Sequence, residues 1–453
     1  MTPVRRQWAS PGFLVGEVAL ACALGLMVVH VRSVVALVAP ATLGLLLLLA
    51  LVRGLIDWPD EAACRRILWW TVVAFAAHLI FGLAATNISR EVRYYLGTDS
   101  LGYDATAQAM VQHWTHGFPF PRVPSGKEGF YYMLAGLYWL FGAHTASGLA
   151  VNATLAAGLV PVMSDVTRRL YGPAAARYAA PLVVLLPGLF LWTSQLMREA
   201  GILFLLAVAL NCAVRLTDRV TFGGMAMFIV ALLLAFTFRA PVALIVAAGL
   251  IVGITIGHRQ IVSGVGTALA ALVIVVAVML GSGLGYSGYQ TAVNVNLDQA
   301  NIVRKDLAYS AQTGYAAEVD ISTTQGALRF LPVGVVSFLL GPFPWHITGA
   351  RQLPFVPDML AWWILLPSLW GGLRASRRLI GRRQLLIVFP VVGTVLFMGL
   401  ALGNFGTVVR ERLQVVVLVV PLIALGLAER KALRAEPDAA PVDTVPTALL
   451  AEV

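Results

Sequence analysis

Apolar residues run along this chain in blocks close to the ~20 residues that one helical crossing of a bilayer requires, separated by short polar turns. The blocks fall at 12–30, 34–52, 67–86, 146–166, 174–192, 198–215, 222–238, 240–257, 263–281, 359–374, 384–402 and 413–429, and predict about twelve transmembrane helices. Two long stretches interrupt the series, from Asn87 to about Thr145 and from Ser282 to about Asp358. Loops of that length in a compact protein are usually functional. Within the first, Ala107, Met110, Val111 and Trp114 recur at helical spacing while Asp104, Gln108 and Gln112 take another face. That pattern predicts an amphipathic helix lying on the membrane, with Asp99 or Ser100 capping its start.

Sidedness follows from the basic residues. Arg5 and Arg6, Arg53 with Arg65 and Arg66, Arg168 and Arg169, Arg215 and Arg219, Arg259, the cluster Arg374 to Arg383, and Arg430 to Arg434 all fall between blocks on one side. Arginine and lysine are retained in cytoplasmic loops, so both termini are expected inside and the two long loops outside the cell's inner (plasma) membrane. Counting 129–141 as a crossing would move Arg168 and Arg169 outside. It is therefore expected to be an interfacial or re-entrant helix, with Tyr131, Tyr132, Tyr138 and Trp139 at the headgroup level. The same holds for 330–345, which is broken by Pro332, Pro342 and Pro344. The organisation expected is an N-terminal hairpin and loop (1–66), a core (67–281) with its first outer loop at 87–145, a second outer loop (282–358), C-terminal helices (359–434) and a disordered tail (435–453).

Composition agrees with an all-α polytopic membrane protein. The 453 residues are 59% hydrophobic and 12% charged, with a mean hydropathy of +0.82, against about 25% charged in soluble domains. The net charge of +10 does not point to nucleic acid, because the basic residues lie in short loops and form no single stripe. Cys22, Cys64 and Cys212 suggest no disulfide framework.

The chemistry is expected on the outer face. Asp99 and Asp104 open the first loop, and Lys127 and Glu128 close it. Arg198 and Glu199 begin one block, Arg329 starts the proline-broken segment, and Arg410, Glu411 and Arg412 stand at the outer end of the last block. Several cations on the side that normally lacks them suggest a bound anion, and arginine's planar fork suits phosphate oxygens. His346 and Ser287 in Gly285-Tyr286-Ser287-Gly288 echo a protease pair only weakly. His113 and His116 are too few for a metal site.

Asp99-x-x-x-Tyr103, then Gly129-Phe130-Tyr131-Tyr132 and Leu137-Tyr138-Trp139-Leu140-Phe141-Gly142, resemble the first outer loop of GT-C glycosyltransferases. Arg169-Leu170-Tyr171-Gly172, Ala174 to Pro187, and Arg198-Glu199 continue the likeness, which covers roughly Ile67 to Arg259 and is nearest to bacterial protein-mannosyltransferase-like and aminoarabinose-transferase-like enzymes. The resemblance implies a sugar donor on a polyprenyl phosphate, a glycan, lipid or protein acceptor, and membrane lipids as surroundings. It implies an acidic catalytic residue at Asp99, with Asp104 and Glu199 as further acidic candidates. Tyr103, Lys127, Glu128, Arg198, Arg329, His346, Arg410 and Arg412 are the expected substrate contacts. The chain departs from the pattern in carrying Asp99-Ser100 where many relatives have two adjacent acids. No cofactor is called for: a divalent metal is compatible with the resemblance but not implied. The competing readings are a polysaccharide polymerase or ligase using a lipid-diphosphate donor, and a transporter or lipid flippase. A transporter predicts charges at mid-membrane and inverted repeats, whereas here the charges gather at block ends.

Overall fold

The computed structural model describes residues 32–55, 61–88, 98–124, 126–257, 266, 296–347, 349 and 352–435. The expected spans 12–30 and 263–281, Ser287 and the tail 436–453 lie outside the described residues. Among those described the chain is helical, with a single isolated bridge, Gly314 to Asn404, as its only extended pairing. The helices are α1 (Arg32–Leu55), α2 (Glu61–Ile88), α3 (Thr98–His116), α4 (Glu128–Phe141), α5 (Thr145–Leu185), α6 (Pro187–Thr193) and α7 (Glu199–Asp218). They continue with α8 (Phe222–Phe238), α9 (Ala240–Gly257), α10 (Leu297–Tyr309), α11 (Thr324–Leu340), α12 (Phe355–Ile380), α13 (Leu385–Ala401) and α14 (Phe405–Ala435).

Seven helical stretches among the described residues are long and apolar enough to cross a membrane, so the expected count of twelve is not reached. Part of the difference is local. The blocks 146–166 and 174–192 merge into one helical run, α5, that contains Gly172 at φ 80, ψ 179. That backbone conformation suits glycine alone, and Pro173 restarts the helix behind it. The run is nevertheless a hairpin. A Cβ built on Gly82 of α2 would meet both Ser194 and Leu149, so residues on either side of Gly172 return to one level. In the same way α12 and α13, joined by the 3₁₀ turn Gly381–Gln384, form one apolar stretch.

Close packing depends on small residues, as expected where lipid supplies no hydrophobic drive between helices. Gly372 of α12 lies against the Leu422 carbonyl of α14, and Gly426 of α14 against that of Ser368. Gly249 and Gly253 of α9 bring its backbone onto Pro390 and Leu386 of α13. These crossings hold α14 in the centre, its residues from Val415 to Leu425 continuously buried.

Two elements fall on the segments expected to be interfacial or re-entrant. Helix α4 has 14 residues, short of the ~20 a crossing needs. Of its aromatic residues, Tyr132 and Trp139 are exposed, while Tyr131 and Tyr138 are buried in protein contacts because α4 packs on α3, α5 and α8. The segment 330–345 is split: α11 carries Pro332 and ends at Leu340, and a 3₁₀ turn, Pro344–His346, follows. Cys64 and Cys212 are free thiols.

The helices define two ends. At one, which we call the arginine end, a single buried carboxylate joins α5 to α7. Asp165 Oδ1 accepts from Arg168 (2.9 Å), and Oδ2 accepts from Arg169 (2.8 Å), Arg215 (2.7 Å) and Asn211 (3.0 Å). Arg383 pairs there with Asp218 at 2.8 Å. The other end carries the first outer-loop helix and the residues described next.

Candidate active site

Asp99 lies in the first turn of α3 rather than ahead of it, where an acid is favoured by the helix dipole. Its half-exposed carboxylate (45%) accepts from Arg410 Nη1 at 2.6 Å. Arg410 belongs to α14, 311 residues away, and the two residues that follow it point elsewhere because successive helical positions turn by about 100°. Glu411 pairs with Arg239 and accepts from Gln414 at 2.8 Å. Arg412 reaches Asp358 at 2.8 Å and the Gly341 carbonyl at 2.5 Å.

Glu199 opens α7 and is buried, 2% exposed. Its Oε1 faces both Arg239 Nη2 (3.2 Å) and Arg410 Nε (3.3 Å), while Oε2 has no hydrogen-bond partner among the described residues. Arg198, one residue earlier, donates to the Phe238 carbonyl at 3.3 Å and leaves its buried Nε without a partner. Lys127 precedes α4, where its carbonyl accepts from Phe130 N at 3.2 Å, and its ammonium makes no hydrogen bond or ion pair among the described residues. Burial, reinforced by repulsion from Arg198, Arg239 and Arg410, lowers its ammonium to about 8, against the pull of Asp99. The cations Lys127, Arg198, Arg239 and Arg410 therefore outnumber the carboxylates Asp99, Glu199 and Glu411, and donors remain to be filled. Such a surplus in a partly dry setting is a site for an anion.

The same surplus decides the state of Asp99. Burial alone would raise its carboxyl, but Arg410, Lys127 and Arg198 outweigh that and hold it below the usual carboxylate range.

The other expected residues divide. Tyr103 is buried in α3 against Phe130 and Tyr131, with ring centroids at 4.8 and 5.1 Å, and burial pushes its phenol up to about 12. It lines the cluster's base. Glu128 begins α4 beside Lys127. Asp104 stands apart: it accepts from Tyr138 at 2.5 Å and faces Thr145 at 3.4 Å, lacing α3 to α4 and α5. Arg412 is fully buried on Asp358, whose other oxygen accepts from Gly188 N at 3.0 Å. That strut ties α14 to α12 and α6. His346 stacks on Phe405 at 4.4 Å, and partial burial lowers its imidazole. Arg329 is exposed on α11 and makes no hydrogen bond or ion pair among the described residues.

Arg239 and Asp358 were not legible as site-end charges. Arg239 interrupts two apolar blocks at a turn on the side expected to lack arginine, and that was the available signal. Among the described residues no group of three or more histidine, cysteine or acidic side chains converges. Asp99 and Glu199 meet through the Arg410 guanidinium, so the two acids that could share a cation already share an arginine.

No family model and no curated protein matches the chain. Seven solved chains resemble it in structure. One is the archaeal oligosaccharyltransferase AglB from Archaeoglobus fulgidus, in complex with an inhibitory peptide and a dolichol phosphate. It has a TM-score of 0.50 and 14% identity, covering 84% of this chain and 52% of that one. Another is ArnT from Cupriavidus metallidurans bound to undecaprenyl phosphate, with a TM-score of 0.49 and 13% identity, covering 81% of this chain and 60% of that one. The chain thus spans between half and two thirds of the length of these structures. With its helical bundle and its end-on loop helices, the chain has the fold of the GT-C membrane proteins.

Proposed function

We propose that this protein is an integral membrane glycosyltransferase that moves a sugar from a polyprenyl-phosphate donor to an extracytoplasmic glycan, lipid or protein acceptor. The observation that carries this reading is the cation surplus around a half-exposed carboxylate: Asp99 is held by Arg410 alone, and Lys127 and Arg198 beside it have side-chain donors unfilled among the described residues. The dolichol phosphate in the archaeal structure of similar fold agrees with a lipid phosphate as ligand. The site end faces away from the cytoplasm in this reading, with both termini inside the plasma membrane.

The phosphate occupies Lys127, Arg198 and the Nη edge of Arg410. The bond between the sugar's anomeric carbon and the phosphate oxygen breaks, and the electron pair leaves with the phosphate, where the cations stabilise it. The acceptor hydroxyl attacks the oxocarbenium-like carbon and gives its proton to Asp99. Asp99 paired to Arg410 is a weak base. A phosphate arriving at Arg410 competes for the donor Asp99 uses, while Glu199 retains the Nε edge, so donor binding frees the base when it is needed. Arg239 and Glu411 hold Glu199 in place for this exchange.

The test is the purified protein in vesicles with a panel of undecaprenyl-phosphate sugars, radiolabelled in the sugar, and membrane-extract acceptors. Label transferred to acceptor, with undecaprenyl phosphate released, is the expected result. Movement of label across the vesicle without transfer would replace the reading with that of a transporter. Reaction only with lipid-diphosphate donors would replace it with that of a polymerase or ligase.

A further inference from the structure

The arginine end holds a cleft remote from the candidate active site. Sixteen residues of α2 separate Arg66 from Gly82, which lies against Ser194 at the site end, and at 1.5 Å per residue that is about 24 Å. Between the first turns of α2 and the second half of α5 is a cavity of about 200 Å³. Ala63, Ile67, Ala176 and Ala180 form its floor, and Arg66 and Arg177 flank it. It exists because the helix breaks at Gly172 and restarts at Pro173, itself a lining residue, and because three of the floor residues are alanines whose side chains leave the gap open.

The two arginines differ from those that close on acids. Arg168, Arg169 and Arg215 close on Asp165, and Arg383 closes on Asp218. Arg66 and Arg177 are exposed and make no hydrogen bond or ion pair among the described residues. The nearest acid in sequence, Glu61, is one helical turn from Arg65, the spacing that pairs side chains, and not from Arg66. One turn further along α2, Trp69 is exposed and packs edge-on against Trp70 at 4.8 Å. Tryptophan of that kind marks the level of lipid headgroups. The cleft is therefore open to the side, apolar on its floor, and doubly cationic at headgroup level.

We propose that this cleft binds an anionic glycerophospholipid of the leaflet at the arginine end. Arg66 and Arg177 hold the phosphodiester from either side, and an acyl chain lies along Ala63, Ile67, Ala176 and Ala180. A choline headgroup would bring its own ammonium between two guanidiniums, with no carboxylate among the described lining residues to receive it, so the site selects a net negative headgroup.

The test is native mass spectrometry of the full-length protein, purified in detergent and titrated separately with phosphatidylglycerol, phosphatidylcholine and undecaprenyl phosphate. The wild type is expected to retain phosphatidylglycerol over phosphatidylcholine. The Arg66→Gln/Arg177→Gln variant is expected to lose at least tenfold of that retention. Arg377→Gln/Arg382→Gln, which removes the same charge from exposed positions at the same end, is expected to keep it. Equal loss in both variants, or equal retention of the two phospholipids, overturns the proposal. Undecaprenyl phosphate lost selectively in the Arg66/Arg177 variant would assign the cleft to the polyprenyl lipid instead and overturn the occupant named here.

Discussion

Each end of the helix bundle contains a carboxylate held by arginine, and the two are built differently. At the arginine end Asp165 is fully buried and both oxygens are taken, one by Arg168 and the other by Arg169, Arg215 and Asn211. At the site end Asp99 is half exposed and held by one arginine, beside an unpaired lysine and arginines with unfilled donors. A carboxylate saturated from several helices fixes those helices, whereas one held by a single shared arginine can be exchanged for another anion. The difference separates a structural ion network from a binding site more clearly than charge alone does.

The largest effect should come from Asp99→Asn, which removes the base while keeping shape. Transfer is expected to fall roughly 10²–10⁴-fold, the usual contribution of a general base, with the melting temperature in detergent unchanged. A variant that retains full transfer would remove Asp99 from the reaction. Asp165→Asn should give the opposite pattern: three partly exposed guanidiniums lose the buried charge they share, at a cost of about 3 kcal/mol, the lower end for a broken buried pair, read as a lowered thermal midpoint. If its stability matched wild type, the contrast between the two ends would collapse.

Lys127→Gln sharpens the comparison by removing the unpaired cation. Undecaprenyl phosphate should bind about tenfold more weakly at pH 7, by analogy with loss of one charge-assisted contact. The pH dependence has a definite sign. Below about 8 the lysine is charged and ready for an anion, and above it the free protein's lysine is neutral and must take up a proton on binding. Wild-type affinity should fall as pH rises through that value, and the variant should lose this limb in an equilibrium titration. Smallest is Asp104→Asn, which weakens the bond from Tyr138 and lowers stability by about 1–2 kcal/mol. Transfer should stay within a few-fold of wild type, and a loss comparable with Asp99→Asn would place Asp104 in the reaction after all.

Much of the fold was legible in the order of the blocks. They located most helices to within a few residues, and the cations at the block ends opposite the arginine-rich loops include Lys127, Arg198 and Arg410, which the structure brings to one end. What periodicity could not separate was Arg410 from Arg412. Both are arginines at the same helix end, yet one meets Asp99 and the other Asp358, because a two-residue step turns the side chain by about 200°. Nor could it mark Arg239, a lone residue between two apolar blocks whose role depends on Glu199 and Glu411, distant in the chain. The count of crossings was blurred for a local reason, since Gly172 turns the chain within a run that remains helical on both sides.

The sequence by itself determined an all-helical membrane bundle and its two unlike ends, each with its own set of arginines. These depend on apolar block length and on where arginine is tolerated, both local properties of a chain in a bilayer. Tertiary structure alone decided which acid meets which arginine. It joined Asp99 to Arg410 across 311 positions, left the Lys127 ammonium without a partner among the described residues, and turned Asp104 and Arg412 toward packing. Those choices depend on how helices cross, and the crossings are set by glycine contacts between distant segments that no local pattern encodes.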